Sequence, residues 1–372
     1  MRLLHVIPSL APEAGGTAEM VKIIGKAQRE MGHAVEVLSL DEEPGESHLK
    51  VHAMGKGRLK YGYNPKLREW LRAHASEYDA IIVHGIWQYT SFATWSALRE
   101  KRLPYYVFTH GMLDPWFKEA YPLKHLKKWL YWPWTDYRVL RDAKAVFFTS
   151  EQERLLARRS FWLYRCVEKV VSLGTMPPPG DAERQKTLFL REFPALAGKR
   201  IVLFLGRIHE KKGCDLLIRA FAGVPEDARL VIAGPCAAPV YLQELQRLAA
   251  REGVSFTWTG LLSGDRKWGA LRAADVFALP SHHENFGMSV SEAISCGLPA
   301  LISSKVNIFE EIRDDGAGLV ENDDLEGTRR LLTRWFAMSA AEQDAMRLGA
   351  RQCFLSRFDA RVAARRITEL VS

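Results

Sequence analysis

Short runs of apolar residues alternate along the chain with longer stretches whose apolar positions recur every three or four residues. The runs are LLHVIPS (3–9), AVEVLSL (34–40), AIIVHGI (80–86), YYVFTHG (105–111) and AVFFTS (145–150) in the first half. In the second half they are RIVLFLGR (200–207), ARLVIAG (228–234), VSFTWTG (254–260), VFALPS (276–281) and PALISS (299–304). Several are apolar at successive positions, the mark of strands covered on both faces. Most lead into a helical stretch, which predicts parallel sheets built from βαβ units. The alternation breaks at 174-GTMPPPGDAERQK-186, where Pro, Gly and charge concentrate. The expected organisation is therefore a first α/β domain over 1–173, a linker over 174–186 and a second α/β domain over 187–354. The tail, 355–372, reads as an amphipathic helix that packs back onto the first domain. Two such domains facing each other would leave a cleft at the carboxyl ends of both sheets, where open α/β sheets bind ligands.

Composition changes this picture little. The 372 residues are 47% hydrophobic and 26% charged, an ordinary globular mixture. No apolar run reaches about 18 residues, so no membrane-spanning helix is expected. The opening MRLLHVIPSLAPEAGG reads as a first strand and not as a signal peptide. The five cysteines, at 166, 214, 236, 296 and 353, lack metal or redox spacing and are expected to be small buried side chains in a reducing cytoplasm. Charge is more informative. Residues 1–172 hold 26 Lys and Arg against 19 Asp and Glu, whereas the remainder is almost balanced. The first half is expected to meet something anionic, such as a phosphorylated lipid, a membrane face or nucleic acid.

The familiar phosphate fingerprints are missing. Neither G-x-G-x-x-G nor G-x-x-x-x-G-K-[ST] occurs, and no D-x-D is present to hold a divalent metal. His282, His283 and Glu284 are consecutive, so on a strand they point to alternate faces, and no metal site is expected there. The informative stretch is 281-SHHENFGMSVSEAISCGLPA-300. If the strand VFALPS ends at Ser281 and a helix starts near Gly287 to Ser289, Glu284 projects from the loop and Glu292 from the early helix. The backbone N–H groups of Phe286, Gly287, Met288 and Ser289 then lie between two carboxylates, and a helix amino end favours anions. Such a segment suits a ligand with hydroxyls at both ends and phosphate in the middle. In 201-IVLFLGRIHEKKGCDLLIRAF-221, Arg207 and Lys212 follow a buried strand within one short loop, with Lys211 beside them. Two cations there can hold a diphosphate and neutralise it as it leaves.

GRIHEKKG (206–213), followed by ENFGMSVSEAISCGLPAL (284–301) and GAGLVE (316–321), resembles the donor-binding half of glycosyltransferase family 4. HGMLDPW (110–116) and KVNIFEEI (305–312) look like the branch that builds exopolysaccharide and O-antigen chains. The resemblance implies the α/β GT-B fold, two Rossmann-like domains with parallel sheets facing an interdomain cleft. It implies that Arg207 and Lys212 bind the donor's diphosphate, that Glu292 takes the ribose hydroxyls, and that Glu284 meets the donor sugar. The backbone of Phe286, Gly287, Met288 and Ser289 would hold sugar and phosphate oxygens. Gly15 and Gly16 match the family's glycine-rich loop after the first strand. His110, at a strand end, matches a histidine over the donor sugar, and His84 is a weaker candidate on the acceptor side. Gly234-Pro235 and Gly260-Leu261-Leu262 are expected near the base. The family retains anomeric configuration, with the leaving phosphate accepting the acceptor's proton, so neither a metal nor any other cofactor is expected.

The segment 116-WFKEAYPLKHLKKWLYWPWTDYRVLRDAK-144 mixes Trp and Tyr with seven Lys or Arg. Aromatics interleaved with cations suit an anionic membrane surface carrying a lipid-linked saccharide acceptor, or a saccharide-stacking wall; they also suit a buried aromatic cluster. The expected location is cytoplasmic, peripheral to the inner membrane face. Nucleic acid would also use such a surface, but no nucleic-acid module accompanies it. A sugar-nucleotide epimerase of the same fold is the main alternative activity. UDP, GDP and ADP sugars fit the donor contacts alike.

Overall fold

The computed structural model describes residues 1–45, 47–116, 118 and 121–372. The chain divides into two compact units, Met1–Met176 with Ala360–Ser372, and Pro177–Asp359.

The first unit contains β1 (Arg2–Val6), β2 (Ala34–Ser39), β3 (Lys50–Ala53), β4 (Ala80–His84), β5 (Tyr106–Phe108), β6 (Ala145–Phe148) and β7 (Glu168–Val170). They form one parallel sheet in the order β3-β2-β1-β4-β5-β6-β7. β4, β5 and β6 are buried at every position, because helices cover both faces of a parallel sheet. The second unit contains β8 (Arg200–Leu205), β9 (Ala228–Ala233), β10 (Phe256–Gly260), β11 (Val276–Leu279), β12 (Ala300–Ser303) and β13 (Gly318–Glu321). Its parallel sheet runs β10-β9-β8-β11-β12-β13.

Each of the ten apolar runs contains a strand. The three strands without such a run, β3, β7 and β13, all lie at sheet edges and have only three or four residues. Strand order reverses between β1 and β4 in one sheet and between β8 and β11 in the other. Loops leaving the carboxyl ends on either side of such a reversal part to opposite faces and leave a crevice.

Two boundaries differ from the sequence expectation. Residues 182–186, expected in the linker, are the first turns of the Ala182–Glu192 helix, which Asp181 caps by accepting from the Arg184 N–H at 2.7 Å. The tail is not one helix from 355. The Ala340–Cys353 helix runs on into a π-helical turn, Phe354–Phe358, whose two phenylalanines are buried. A separate helix, Ala360–Val371, then begins, with the Ala360 N–H donating to the Thr175 carbonyl at 3.0 Å. It packs along the Gly16–Glu30 helix and buries Ala360, Ala363, Ala364, Ile367 and Val371, one stripe at helical spacing.

Candidate functional site

At the carboxyl edge of the second sheet, three loops are drawn together by positions that admit no side chain. A Cβ on Gly213 (φ +66) would lie 2.2 Å from the Pro280 carbonyl oxygen, and one on Gly234 (φ +146) 1.8 Å from that of Gly206. Only glycine permits both the approach and the backbone angle. The loop after β11 is tied to the loop after β8: the His282 N–H donates to the Lys211 carbonyl at 2.7 Å, and the Ser281 hydroxyl donates to it at 2.8 Å. On its other side, the Glu284 N–H donates to the Lys305 carbonyl, and the Asn307 N–H to the Glu284 carbonyl, both at 3.0 Å. Glu284 is therefore pinned through its main chain by the loop after β12.

Its side chain meets Lys212, whose Nζ pairs with Glu284 Oε2; the two side chains are 20% and 19% exposed. Gly287 (φ +78) follows and opens the Met288–Ser295 helix. A Cβ on Gly287 would press within 3.4 Å of Glu284 Cγ, so the carboxylate arm lies against the helix start. The first N–H groups of a helix have no intrahelical partner. A cation, a carboxylate and an amide-lined helix end are thus assembled at the β8–β11 reversal. The Phe286 side chain is buried edge-on to Phe358, with centroids 5.7 Å apart, which leaves only its main chain for a ligand. Met288 and Ser289 are half-buried in the first turn. Glu292, one turn on, is held by Lys267 at 2.7 Å. Arg207 is exposed and makes no ion pair among the described residues, whereas Lys212 and Glu284 are paired. The Gly234 N–H donates to the Gly260 carbonyl at 2.8 Å, which joins the two segments expected near a base.

In the first unit, Gly15 and Gly16 lead the Gly16–Glu30 helix after β1. Gly15 has φ +74 and ψ −148, a glycine-only conformation, and a Cβ at either position would meet nothing within 4 Å. Backbone shape requires Gly15; no packing atom does. His110 follows β5 in a left-handed conformation, φ +50, unusual for a residue with a side chain. Its Nε2 lies 3.0 Å from His84 Nδ1, and His84 Nε2 lies 2.8 Å from His5 Nδ1. Burial pushes His110 down to about 3 and His5 to about 4, and holds His84 well below its ordinary value. His84 is 1% exposed, so the acceptor contact expected of it is not available; it supports His110 from behind.

Two family models take up the two halves of the chain: "Glycosyl transferase 4-like domain" over residues 15–171 and "Glycosyl transferases group 1" over 186–351. The chain belongs to glycosyltransferase family 4. This glycosyltransferase is 35% identical over 156 residues to a D-inositol 3-phosphate glycosyltransferase of Xylanimonas cellulosilytica, covering 40% of this chain and only 37% of that relative's length. It is 26% identical over 345 residues to a GDP-mannose-dependent alpha-(1-6)-phosphatidylinositol dimannoside mannosyltransferase of Mycobacterium tuberculosis, covering 87% and 84% of the two chains. The crystal structure of HepE from Anabaena in complex with UDP superposes with a TM-score of 0.79 at 19% identity, over 99% of each chain. The fold is GT-B, with two Rossmann-like parallel-sheet domains.

Sequence reasoning missed two residues, one in each unit, that hold candidate site residues in place. Glu153 is 3% exposed and, among the described residues, accepts hydrogen bonds from Thr109, Gly111 and Thr149. Oε1 accepts from the Thr109 hydroxyl and the Gly111 N–H, both at 2.6 Å; Oε2 accepts from the Thr149 N–H at 2.7 Å and the Thr149 hydroxyl at 2.6 Å. It grips the residues on either side of His110. The available signal was 150-SEQE-153, a helix-start pattern in which Ser150 does cap the Glu153 N–H at 3.1 Å. The second residue is Lys267, whose ion pair with Glu292 has no local spacing to announce it. A cavity of about 550 Å³, lined by Pro177, Leu271, Cys296 and Arg351 among others, lies by the residues that lead into β11 and β12. That is the opposite end of the sheet from Glu284, so it is not part of this site.

Proposed function

We propose that this glycosyltransferase moves a sugar from a nucleotide-diphosphate sugar to a saccharide or lipid-linked saccharide in cell-surface polysaccharide synthesis. Anomeric configuration is retained and no divalent metal takes part. The observation that carries the reading is the Lys212–Glu284 pair set against the amino end of the Met288–Ser295 helix. The UDP complex of HepE and the GDP-mannose dependence of the mycobacterial relative support a nucleotide-linked donor.

In this mechanism Lys212, Arg207 and the helix N–H groups take the diphosphate. Lys212 then divides its charge between phosphate and Glu284, which orients the carboxylate toward the sugar hydroxyls. The bond between the anomeric carbon and the phosphate oxygen breaks, and the acceptor oxygen bonds to that carbon on the same face. The acceptor's proton passes to the departing phosphate. Fixed cations and dipoles that meet charge as it develops are the large term in such catalysis. Glu292, already neutralised by Lys267, offers its free lone pairs to the ribose hydroxyls. His110 orients the sugar.

The acceptor surface is read from the Pro122–Tyr131 helix, which buries no residue. Leu123, Leu126 and Leu130 are exposed among Lys124, Lys127 and Lys128, a composition that suits an anionic lipid face. The aromatic segment 116–144 divides, with Trp132 fully buried and Trp134 65% exposed. Its residues Phe117, Glu119 and Ala120 lie outside the described residues. Among the described residues no helix is long and apolar enough to cross a membrane.

Thermal-shift screening against nucleotide sugars tests the donor, since a ligand at 100 times its Kd adds about 2.7 kcal/mol to stability. Stabilisation by a nucleotide sugar, followed by transfer to an added saccharide lipid, is the expected result. Turnover of the free sugar nucleotide without any acceptor would make the protein an epimerase. Stabilisation by none, with steeply salt-dependent nucleic-acid binding, would overturn the proposal.

A further inference from the structure

Behind His110 runs an unbroken line of buried polar groups that the transfer mechanism does not use. Gln28, on the Gly16–Glu30 helix, is fully buried and turns Oε1 toward His5 Nε2 at 2.8 Å. His5 Nδ1 meets His84 Nε2 at 2.8 Å, and His84 Nδ1 meets His110 Nε2 at 3.0 Å. The rings are near-parallel, with interplanar angles of 19° and 21°, and Phe108 stacks on His84 at 7°. His5 and His84 are at most 1% exposed, whereas His110 is half-buried. The line therefore has one closed end and one end that reaches solvent.

We propose that Gln28 is a positioning residue for His110: through His5 and His84 it fixes a single tautomer on all three rings, protonated at Nε2 and bare at Nδ1, so that His110 offers a hydrogen-bond acceptor to a hydroxyl of the bound sugar. A neutral imidazole carries one ring proton, and each nitrogen–nitrogen contact at these distances holds one. With Gln28 Oε1 turned to the closed end, a carbonyl oxygen that can only accept, His5 Nε2 carries the proton; Gln28 Nε2 points the other way and is buried with no hydrogen-bond partner among the described residues. His5 Nδ1 is then bare and must accept from His84 Nε2. His84 Nδ1 is bare in turn and accepts from His110 Nε2. The last nitrogen, His110 Nδ1, is left with a lone pair and has no hydrogen-bond partner among the described residues. Turning the Gln28 amide over would reverse every proton in the line and make His110 Nδ1 a donor. The choice made at a buried amide three rings away thus decides which substrate group His110 can recognise. The role in recognition rests on the reading of His110 given under Proposed function; the tautomer assignment does not.

The test is a long-range proton–nitrogen correlation spectrum of the full-length protein labelled with ¹⁵N-histidine, which separates protonated from bare ring nitrogens. Signals are assigned with single His→Gln variants. The expected wild-type result at neutral pH is a bare Nδ1 on His5, His84 and His110. In Gln28→Met, His110 is expected to spread over both tautomers, with kcat for transfer falling about tenfold while KM for the donor holds. A protonated His110 Nδ1 in the wild type, or an unchanged His110 spectrum in Gln28→Met, overturns the proposal. Should Gln28→Met not fold, the wild-type spectrum decides alone. Full transfer activity in His110→Ala would remove the histidine from recognition without touching the tautomer result, so the two failures are distinguishable.

Discussion

Glu153→Gln isolates what holds His110 in place. The substitution keeps the shape of the side chain but exchanges one oxygen for an NH₂. Each oxygen of Glu153 accepts one main-chain N–H, from Gly111 or from Thr149. Whichever oxygen is replaced, an N–H comes to face an N–H, while the hydroxyls of Thr109 and Thr149 can rotate away. The loss is one hydrogen bond to a charged group, about 1.5–3 kcal/mol, and one buried donor left without a partner, about 1–3 kcal/mol. Relief from burying a charge offsets part of this, so the net destabilisation is about 2–4 kcal/mol. For a unit of this size each kcal/mol lowers the melting temperature by about 2–4 °C, giving a fall of roughly 5–15 °C. The turn around His110 moves with the lost bond, and a displacement near 1 Å at a reacting site costs about a hundredfold in rate. Calorimetry on the purified variant reads the first quantity and a transfer assay well below the melting point reads the second. A variant that melts within a degree of wild type and transfers at the wild-type rate would refute the claim that Glu153 fixes this turn.

Four further outcomes follow from the structure. Arg207→Ala and Lys212→Ala should each cut turnover at least tenfold with folding intact, the removal of one oxyanion-type donor being worth about 3 kcal/mol; circular dichroism and steady-state kinetics check both. Gly213→Ala forces a Cβ onto the Pro280 carbonyl and adds about 1–2 kcal/mol for the left-handed backbone, so it should lower the denaturant midpoint and donor affinity together. His5 and His110 are held neutral by burial, at about 4 and about 3. With folded values below the unfolded one of about 6.5, stability is complete above that pH and is lost as pH falls toward 4, because the unfolded chain takes up protons first. Denaturant midpoints that stay level between about pH 7 and about pH 5 would contradict this. Finally, Leu123→Glu and Leu130→Glu should abolish flotation with anionic vesicles if the Pro122–Tyr131 helix docks there; equal flotation with neutral vesicles would speak against it.

How much of this was legible beforehand depends on whether each signal was local. β4 and β8 announced themselves because a strand covered on both faces must be apolar at successive positions. β3, with KVHA, and β7, with EKV, could not, since an edge strand keeps one side wet and carries polar residues. The Met288–Ser295 helix was readable from Gly287 and the small residues after it. That Lys212 grips Glu284 was not, because 72 residues separate them and only the sheet order brings their loops together. His84 stood out at a strand end, yet its neighbour His5 looked like one polar residue in an apolar run. The pairing of β1 with β4, which sets His5 against Ile82, is what aligns the two rings. Trp132 and Trp134 lie two residues apart in one aromatic segment, and composition could not tell the buried one from the exposed one.

The return of the chain to its starting unit at Ala360 has a consequence for biogenesis. On a ribosome, domains ordinarily close in the order they emerge. Here the first unit lacks its last helix until residues 360–372 have been made, and the Gly16–Glu30 helix keeps an uncovered flank throughout that interval. The middle segment, by contrast, has everything it needs once residue 359 has left the exit tunnel. Maturation of this protein therefore runs from the inside outward, and the half made first is finished last.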